Sequence, residues 1–506
     1  MLLCALACGA AQGAGGSRHI VIVVWDGMRP DFVTETNTPT LYQLAHTGVT
    51  FQNHHPAYLS TTEVNGSALS TGGYPVHDGL VGNVEFRPAI DPRNPFHTES
   101  LESVRKGDEL THGNYLKLPT LIEIARRAGR KTAVAGAKGI ALLWDRSSRT
   151  DASSGAVVFA GQSLPPDLAD TLTNRYGPFP AAGLAKPTRN DWTTLALVDS
   201  LWEDGVPDIS VLWMSEPDAT QHKTGPGSAD SLAAIRNADD NLDRVLRALD
   251  LKGARDSTDV FVVSDHGFST ILSVVDPVDS MHGAGINALR EFPPTPGVGD
   301  VLVVSDGGSS LIYAANHDAA TIQKVVDFLQ HWSHTGVILT KQAMPGTFPI
   351  AQVEADSPDA PDVIVSYRWT ADKNDSGTPG MLEVDAPEYQ AGQGMHGSLS
   401  RFDMHNTLIA AGPDFRSGIV DVLPSGNVDI TPTALWILGL KAPKPMDGRV
   451  LSEALSIKAP KLKSYEPQHL EAVREMDKTV WRQYLNYSEV NGTLYFDEGN
   501  GAQTTR

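Results

Sequence analysis

Cysteine is almost missing from this 506-residue chain: its two cysteines, Cys4 and Cys8, fall within the first eight residues. Everything after them has neither disulfides nor thiolate ligands, so any metal site there must be built from imidazole and carboxylate. Long apolar runs are missing too. No stretch beyond the N-terminal segment reaches the roughly 18 apolar residues of a membrane span. Positive charge is scarce, with 40 Lys and Arg against 60 Asp and Glu and a formal net charge of −20. A nucleic-acid duplex needs a basic surface to displace its counterions and is excluded as the main partner. A small phosphorylated substrate is not excluded, because bound metal ions invert the local field.

What is present is a soluble globular composition, 41% hydrophobic and 20% charged, with neither internal repeats nor low-complexity tracts. Residues 1–18, apolar and rich in small side chains, are expected to be the remnant of a secretory leader. That implies export, periplasmic or secreted, and Leu6-Ala7-Cys8 faintly resembles a lipoprotein cleavage site. The chain then alternates between strand and helix signals. Ile20–Val24 is a β-branched run buried on both faces, ending at Trp25-Asp26-Gly27. Ile209–Met214 leads in the same way to Asp218, and Val260–Ser264 leads to Asp265-His266. Helices are expected at Thr40–Thr47, Thr61–Ser70, Thr120–Ala128, Asp191–Glu203, Ser228–Asp250, Ala319–His331 and Ile430–Leu438. This order predicts a doubly wound, mostly parallel α/β sheet with helices on both faces. Residues 19–269 form its first part, with 84–118 and 142–188 as irregular excursions. Residues 270–394 form an inserted smaller α/β lobe and 395–460 return to the core. For 461–506 the expectation is an amphipathic helix, Pro467–Tyr484, then a hairpin turning at Asn491-Gly492.

Three parallel strands that end in carboxylates place those groups on one rim, where open α/β sheets bind ligands. Asp26, Asp218 and Asp265 sit there, joined by His222 (four residues after Asp218), His266, and His396 in a Gly-flanked loop. Carboxylates and neutral imidazoles suit zinc, and six such residues divide into two three-ligand groups that leave positions for substrate. Thr61 and Thr62 stand at a loop–helix junction where free N–H groups face a bound anion.

At this point the sequence resembles a known family. DG-x-R-P-D at Asp26–Asp31, TPTLYQLAHTGVTF at Thr38–Phe51 and TGGYPVHDGLVGN at Thr71–Asn83 are similar to motifs of the type I phosphodiesterases. So are EPDATQHKTGP at Glu216–Pro226, SDHGFS at Ser264–Ser269 and MHGS at Met395–Ser398. This is the nucleotide pyrophosphatase/phosphodiesterase branch of the alkaline phosphatase superfamily, and the similarity runs from about Ile20 to Leu455. It implies an alkaline-phosphatase-like fold and two zinc ions per chain. One would be held by Asp218, His222 and His396, the other by Asp26, Asp265 and His266 with Thr62 approaching it. It further implies Thr62 as nucleophile, with Thr61 the close competitor, Asn65 as an oxyanion-binding amide, and Glu63 and Asn83 beside the substrate.

The function this implies is hydrolysis of a small-molecule phosphoester, by a phosphodiesterase or nucleotide-pyrophosphatase mechanism with a covalent phosphoryl- or nucleotidyl-threonine. Phosphomonoesters and phosphonates remain alternatives on the same site, and a non-catalytic metal- or ligand-binding homologue is the alternative of another class. The sulfatase branch is excluded, because Leu59–Val64 lacks the Pro and Arg of the modified-nucleophile motif. One departure stands out: Glu63 occupies the position where nucleotide-cleaving members carry a base-stacking aromatic. It would contact a cationic or hydroxylated group, or face solvent in the first helical turn. Tyr58, Tyr74 and Trp144 would supply a stacking face unless they belong to the core.

Overall fold

The strand His19–Trp25 lies near the middle of a nine-stranded sheet in the computed structural model, which describes residues 18–147, 155–186, 188–462 and 465–505. The expected leader, with Cys4 and Cys8, therefore falls almost wholly outside the described residues. Alternate side chains of this strand enter two separate cores: Ile20, Ile22 and Val24 on one face, Val21, Val23 and Trp25 on the other. That two-sided burial explains the unbroken apolar run.

Ile209–Met214 and Thr258–Val263 flank it in parallel, with Val24 opposite both Trp213 and Val263. The register brings their carboxyl ends level, so Asp26, Asp218 and Asp265 emerge on one rim. From one edge the order is Ile419–Gly426, Val49–His55, Leu408–Ala411, Thr258–Val263, His19–Trp25, Ile209–Met214, Thr132–Gly136, Gly155–Phe159, Gln162–Leu164. Leu408–Ala411 and Gln162–Leu164 run antiparallel to their neighbours.

Local signals explain the helices around the sheet. Pro39–Thr47 starts after Thr38 and stops at Gly48. Ala229–Leu251, expected from its periodicity, is capped by the Ser228 side chain, which accepts from Ser231 N–H, as serine at this position favours. The helix Thr62–Thr71 is buried along its whole length and closes on Gly72 in the left-handed region. A six-stranded sheet is drawn from Asn287–Leu289, Asp300–Asp306, Ser309–Ala314, Val363–Tyr367, Thr335–Thr340 and Phe348–Pro349.

Three expectations need correction. Pro467–Tyr484 is not a helix: Tyr465–Glu475, Thr479–Val490 and Thr493–Thr505 form an antiparallel sheet. Apolar residues at Leu470, Val473, Val480, Trp481 and Tyr484 fit a helical spacing. The period that wins is two, with Trp481, Gln483 and Leu485 all buried on one face. The Asn491-Gly492 turn joins two of these strands, both residues at positive φ, as a two-residue hairpin requires. Residues 142–188 are not simply a surface loop, because Gly155–Phe159 is a buried strand of the main sheet and Asp167–Tyr176 a helix. The Pro and Gly around that five-residue strand masked it. Within the excursion 84–118, Leu101–Thr111 forms a helix capped by Ser100.

Candidate active site

The rim gathers all six proposed ligands into two groups, Asp218 with His222 and His396, and Asp26 with Asp265 and His266. Asp218 and His222 lie one turn apart on the helix Asp218–Thr224, and His222 Nε2 is 3.1 Å from Asp218 Oδ1. His396 Nε2 approaches the same oxygen at 3.5 Å. In the second group His266 Nε2 is 3.4 Å from Asp265 Oδ2 and 3.7 Å from Asp26 Oδ1. The imidazoles of His266 and His396 stack with centroids 3.6 Å apart, which ties the groups together. Close approach at the rim needs Gly27, whose φ is +69° and whose Cβ, if present, would lie 2.8 Å from the Phe268 ring.

The hydrogen bonding of these side chains fits a metal. His222, His266 and His396 each place Nδ1 on a backbone carbonyl, of Gly394, Gly267 and Ser60 respectively, at 2.8–3.0 Å. A carbonyl only accepts, so Nδ1 carries the proton in all three and Nε2 presents a lone pair to the carboxylates. Asp26 Oδ1, Asp218 Oδ1 and Asp265 Oδ2 are buried without a hydrogen-bond partner. Lone pairs facing orphaned carboxyl oxygens at 3.1–3.7 Å suit a cation between them. The second oxygens are held: Asp26 Oδ2 accepts from Trp213 Nε1 at 2.8 Å, and Asp265 Oδ1 accepts from the Gly27 and His266 N–H groups at 3.0 Å.

Electrostatics agrees. Burial pushes His266 and His396 down to about 3, so both are neutral at physiological pH. Burial and then the charges of Asp218 and Asp265 push Asp26 well above the usual carboxylate range. Burial pushes Asp265 up to about 6. For Asp218 burial acts upward too, but Lys138 and His222 outweigh it and hold the carboxyl well below its ordinary value.

Lys138 was not singled out from the sequence. Its Nζ lies 2.6 Å from Asp218 Oδ2 and 2.9 Å from Asp26 Oδ2, bridging the two ligand groups. The signal was available, since Lys138 follows the buried parallel strand Thr132–Gly136 as Asp26 follows its own strand, at the same rim.

Thr62 Oγ1 lies 3.3 Å from His266 Nε2, which puts Thr62, the first residue of its helix, against the second group. Thr61 is the N-cap, and its buried Oγ1 has no partner. Asn65 departs from its expected role. Its amide hydrogens are taken by the carbonyls of Ala57, Leu59 and Thr61, and its Oδ1 accepts from Ala57 N–H and Asn427. With every polar atom engaged, Asn65 braces the loop that carries the threonines and has no hydrogen left for an oxyanion. Asn83 Oδ1 accepts from Glu63 N–H at 2.9 Å, fixing the first turn of the Thr62 helix. Glu63 does not face solvent. It is 7% exposed, and burial together with Glu99 holds its carboxyl well above the usual range. Tyr58, Tyr74 and Trp144 are buried in the core.

A parallel α/β sheet whose rim gathers two Asp/His groups around a helix-borne threonine defines a class, the metal-dependent hydrolases of phosphoric esters. The model of the type I phosphodiesterase / nucleotide pyrophosphatase family matches residues 20–399, and the chain belongs to that family. Human ectonucleotide pyrophosphatase/phosphodiesterase family member 7 is 22% identical over 446 residues, 87% of this chain and 83% of the relative. A mouse bis(5'-adenosyl)-triphosphatase is 22% identical over 442 residues, 85% of this chain and 79% of the relative. The solved structure of an inactive murine ectonucleotide pyrophosphatase/phosphodiesterase 5 with AMP superimposes with a TM-score of 0.60 at 17% identity. The match covers 87% of this chain and all of that one. The protein is accordingly an enzyme of phosphoric ester hydrolysis with a small-molecule phosphoester substrate and a family-typical dependence on metal. Among the described residues no helix is long and apolar enough to cross a membrane.

Proposed function

We propose that this protein is a two-zinc phosphodiesterase of the nucleotide-pyrophosphatase type, with Thr62 as the nucleophile. The observation that carries the proposal is Thr62 Oγ1 at 3.3 Å from His266 Nε2, on the N-terminus of a wholly buried helix and against the Asp26, Asp265 and His266 group. Asp218, His222 and His396 would hold one ion, and Asp26, Asp265 and His266, with Thr62, the other. Bound there, zinc supplies a lowered pKa for the threonine hydroxyl and for water, and compensation for charge on the phosphate oxygens.

Thr62 Oγ1 forms the bond to phosphorus as the bond to the leaving oxygen breaks. Water then cleaves the phosphothreonine, and Thr62 regains its proton. The first-turn N–H groups of the Thr62 helix favour the phosphoryl oxygens. Asn83, anchored through Oδ1, keeps its amide hydrogens to offer to the same charge, and we assign it the role expected of Asn65. Diester or pyrophosphate substrates are favoured by the names of the relatives, one of them a bis(5'-adenosyl)-triphosphatase. Export from the cell belongs to the same proposal, on the strength of the N-terminal sequence and the ecto-enzyme relatives. So does the division into a core (19–269 and 395–460) and an inserted lobe (270–394), supported by the six-stranded sheet drawn from 287–367.

The test is hydrolysis of bis(p-nitrophenyl) phosphate against p-nitrophenyl phosphate, with and without zinc, for wild type and Thr62→Ala. A zinc-dependent preference for the diester that disappears in the variant is expected. Turnover that survives in Thr62→Ala refutes the nucleophile, and a preference for the monoester refutes the diesterase assignment.

A further inference from the structure

We propose that His55, His405 and Asp497 form a separate zinc site that staples the C-terminal sheet to the catalytic core. Their ligand atoms converge within 4.8 Å of one another and form a group distinct from the two at the rim. They come from distant segments: His55 ends the strand Val49–His55 of the main sheet, His405 lies in the loop before Leu408–Ala411, and Asp497 is on the strand Thr493–Thr505. No single element would bring them together without purpose in packing or binding.

His55 Nε2 stands at hydrogen-bond distance from Asp497, and the three side chains are also spaced as ligands of one ion. Both imidazoles turn Nε2 toward the same oxygen, Asp497 Oδ1, at 2.9 Å from His55 and 4.0 Å from His405. Donor atoms about 2.0–2.1 Å from one tetrahedral zinc stand about 3.3 Å apart, and the two distances bracket that value. His55 Nδ1 lies 3.2 Å from the Ser425 carbonyl, which takes a proton on Nδ1 and leaves Nε2 as the ring atom that an ion would engage. This is the arrangement found at His222, His266 and His396. The two rings meet edge to face at 4.7 Å, close enough to share an ion.

A competing cation is near but already engaged. Arg401 lines the same cleft of about 460 Å³, yet its guanidinium goes to Glu498 at 2.6 Å. Asp497 is left to the histidines. His55 is fully buried while His405 and Asp497 keep 38% and 29% of their side chains exposed. The site therefore has an entry path for the ion and a fourth position open to water. Two imidazoles and one carboxylate form a set that suits zinc over the harder calcium or magnesium.

The neighbouring residues connect this staple to the catalytic rim. His54 Nε2 meets Asn427 Oδ1 at 3.0 Å, and Asn427 Nδ2 donates to the Asp265 carbonyl. Asn406 Nδ2 also donates to Asn427 Oδ1, at 3.1 Å. An ion at His55 and His405 would thus brace the backbone that presents Asp265.

The experiment counts zinc per chain by inductively coupled plasma mass spectrometry, after loading and desalting, and records thermal unfolding of the same samples. His405→Asn and Asp497→Asn are each expected to hold one equivalent less than wild type and to lose part of the zinc-dependent rise in Tm. Asp265→Asn combined with His222→Asn, which strips the rim, is expected to retain one equivalent that His405→Asn then removes. Equal zinc content in wild type, His405→Asn and Asp497→Asn overturns the proposal. The count does not depend on catalysis. Loss of one equivalent in a protein inactive on every phosphoester would refute the proposed function and uphold this site.

Discussion

Lys138 offers the sharpest test of how the rim works. Its ammonium bridges Asp218 Oδ2 and Asp26 Oδ2 at 2.6 and 2.9 Å, while the other oxygen of each carboxylate is free for a metal. Replacing it with methionine keeps the packing of the stem and removes the charge. Without metal, buried carboxylates are then left facing one another, and breaking a buried pair in this way costs about 3–5 kcal/mol. The Lys138 side chain is 23% exposed, so partial solvent screening places the loss near the lower end, about 3 kcal/mol. With zinc bound, the ions compensate the same carboxylates, and the loss should shrink to about 1 kcal/mol. Linkage turns the difference of about 2 kcal/mol into tighter zinc binding, about 30-fold in the variant. Urea unfolding of chelator-treated and zinc-loaded protein, for wild type and Lys138→Met, measures both losses, and competition with a chromophoric chelator measures the affinity. Equal destabilisation in the two forms, or weaker zinc binding by Lys138→Met, would refute the reasoning and mark Lys138 as a packing residue.

Thr62→Ala should lower kcat by at least about a thousandfold with little change in zinc content, whereas Thr61→Ala should keep most activity, as steady-state kinetics will show. Asn65→Leu should cost about 2–4 kcal/mol of stability, since it strands several buried carbonyl and N–H groups of the loop 57–61, and chemical denaturation reads that loss. Zinc affinity should fall as pH drops below about 6, where Asp265 takes up a proton, by about tenfold per unit for one competing proton. The direction follows because zinc binds the carboxylate form. His266 and His396 should add no inflection of their own near neutral pH, because both stay neutral down to about 3. An NMR titration of either of these two imidazoles centred at 6.5 would contradict that assignment.

Much of this protein is determined by sequence alone, wherever the deciding interaction is local. The unbroken run Ile20–Val24, the helix periods at Thr40–Thr47 and Ser228–Asp250 and the Asn491-Gly492 turn each depend on residues close in the chain, and each is legible. So were Asp26, Asp218 and Asp265 at the rim, because a carboxylate just past a buried parallel strand lies where the strand ends, while His222, His266 and His396 were legible from their motifs. The tertiary structure decided the rest. Pro467–Tyr484 fits either a helix or a strand period, and the face presented by the neighbouring sheets chose the strand. Gly155–Phe159 became a core strand only because Thr132–Gly136 offers it an edge. The resemblance expects Asn65 to face the substrate, but the fold surrounds it with three carbonyls. Lys138 and Asp497 acquire their partners from chain 80 or more residues away, and such pairings follow from strand order and register, which a linear pattern does not encode.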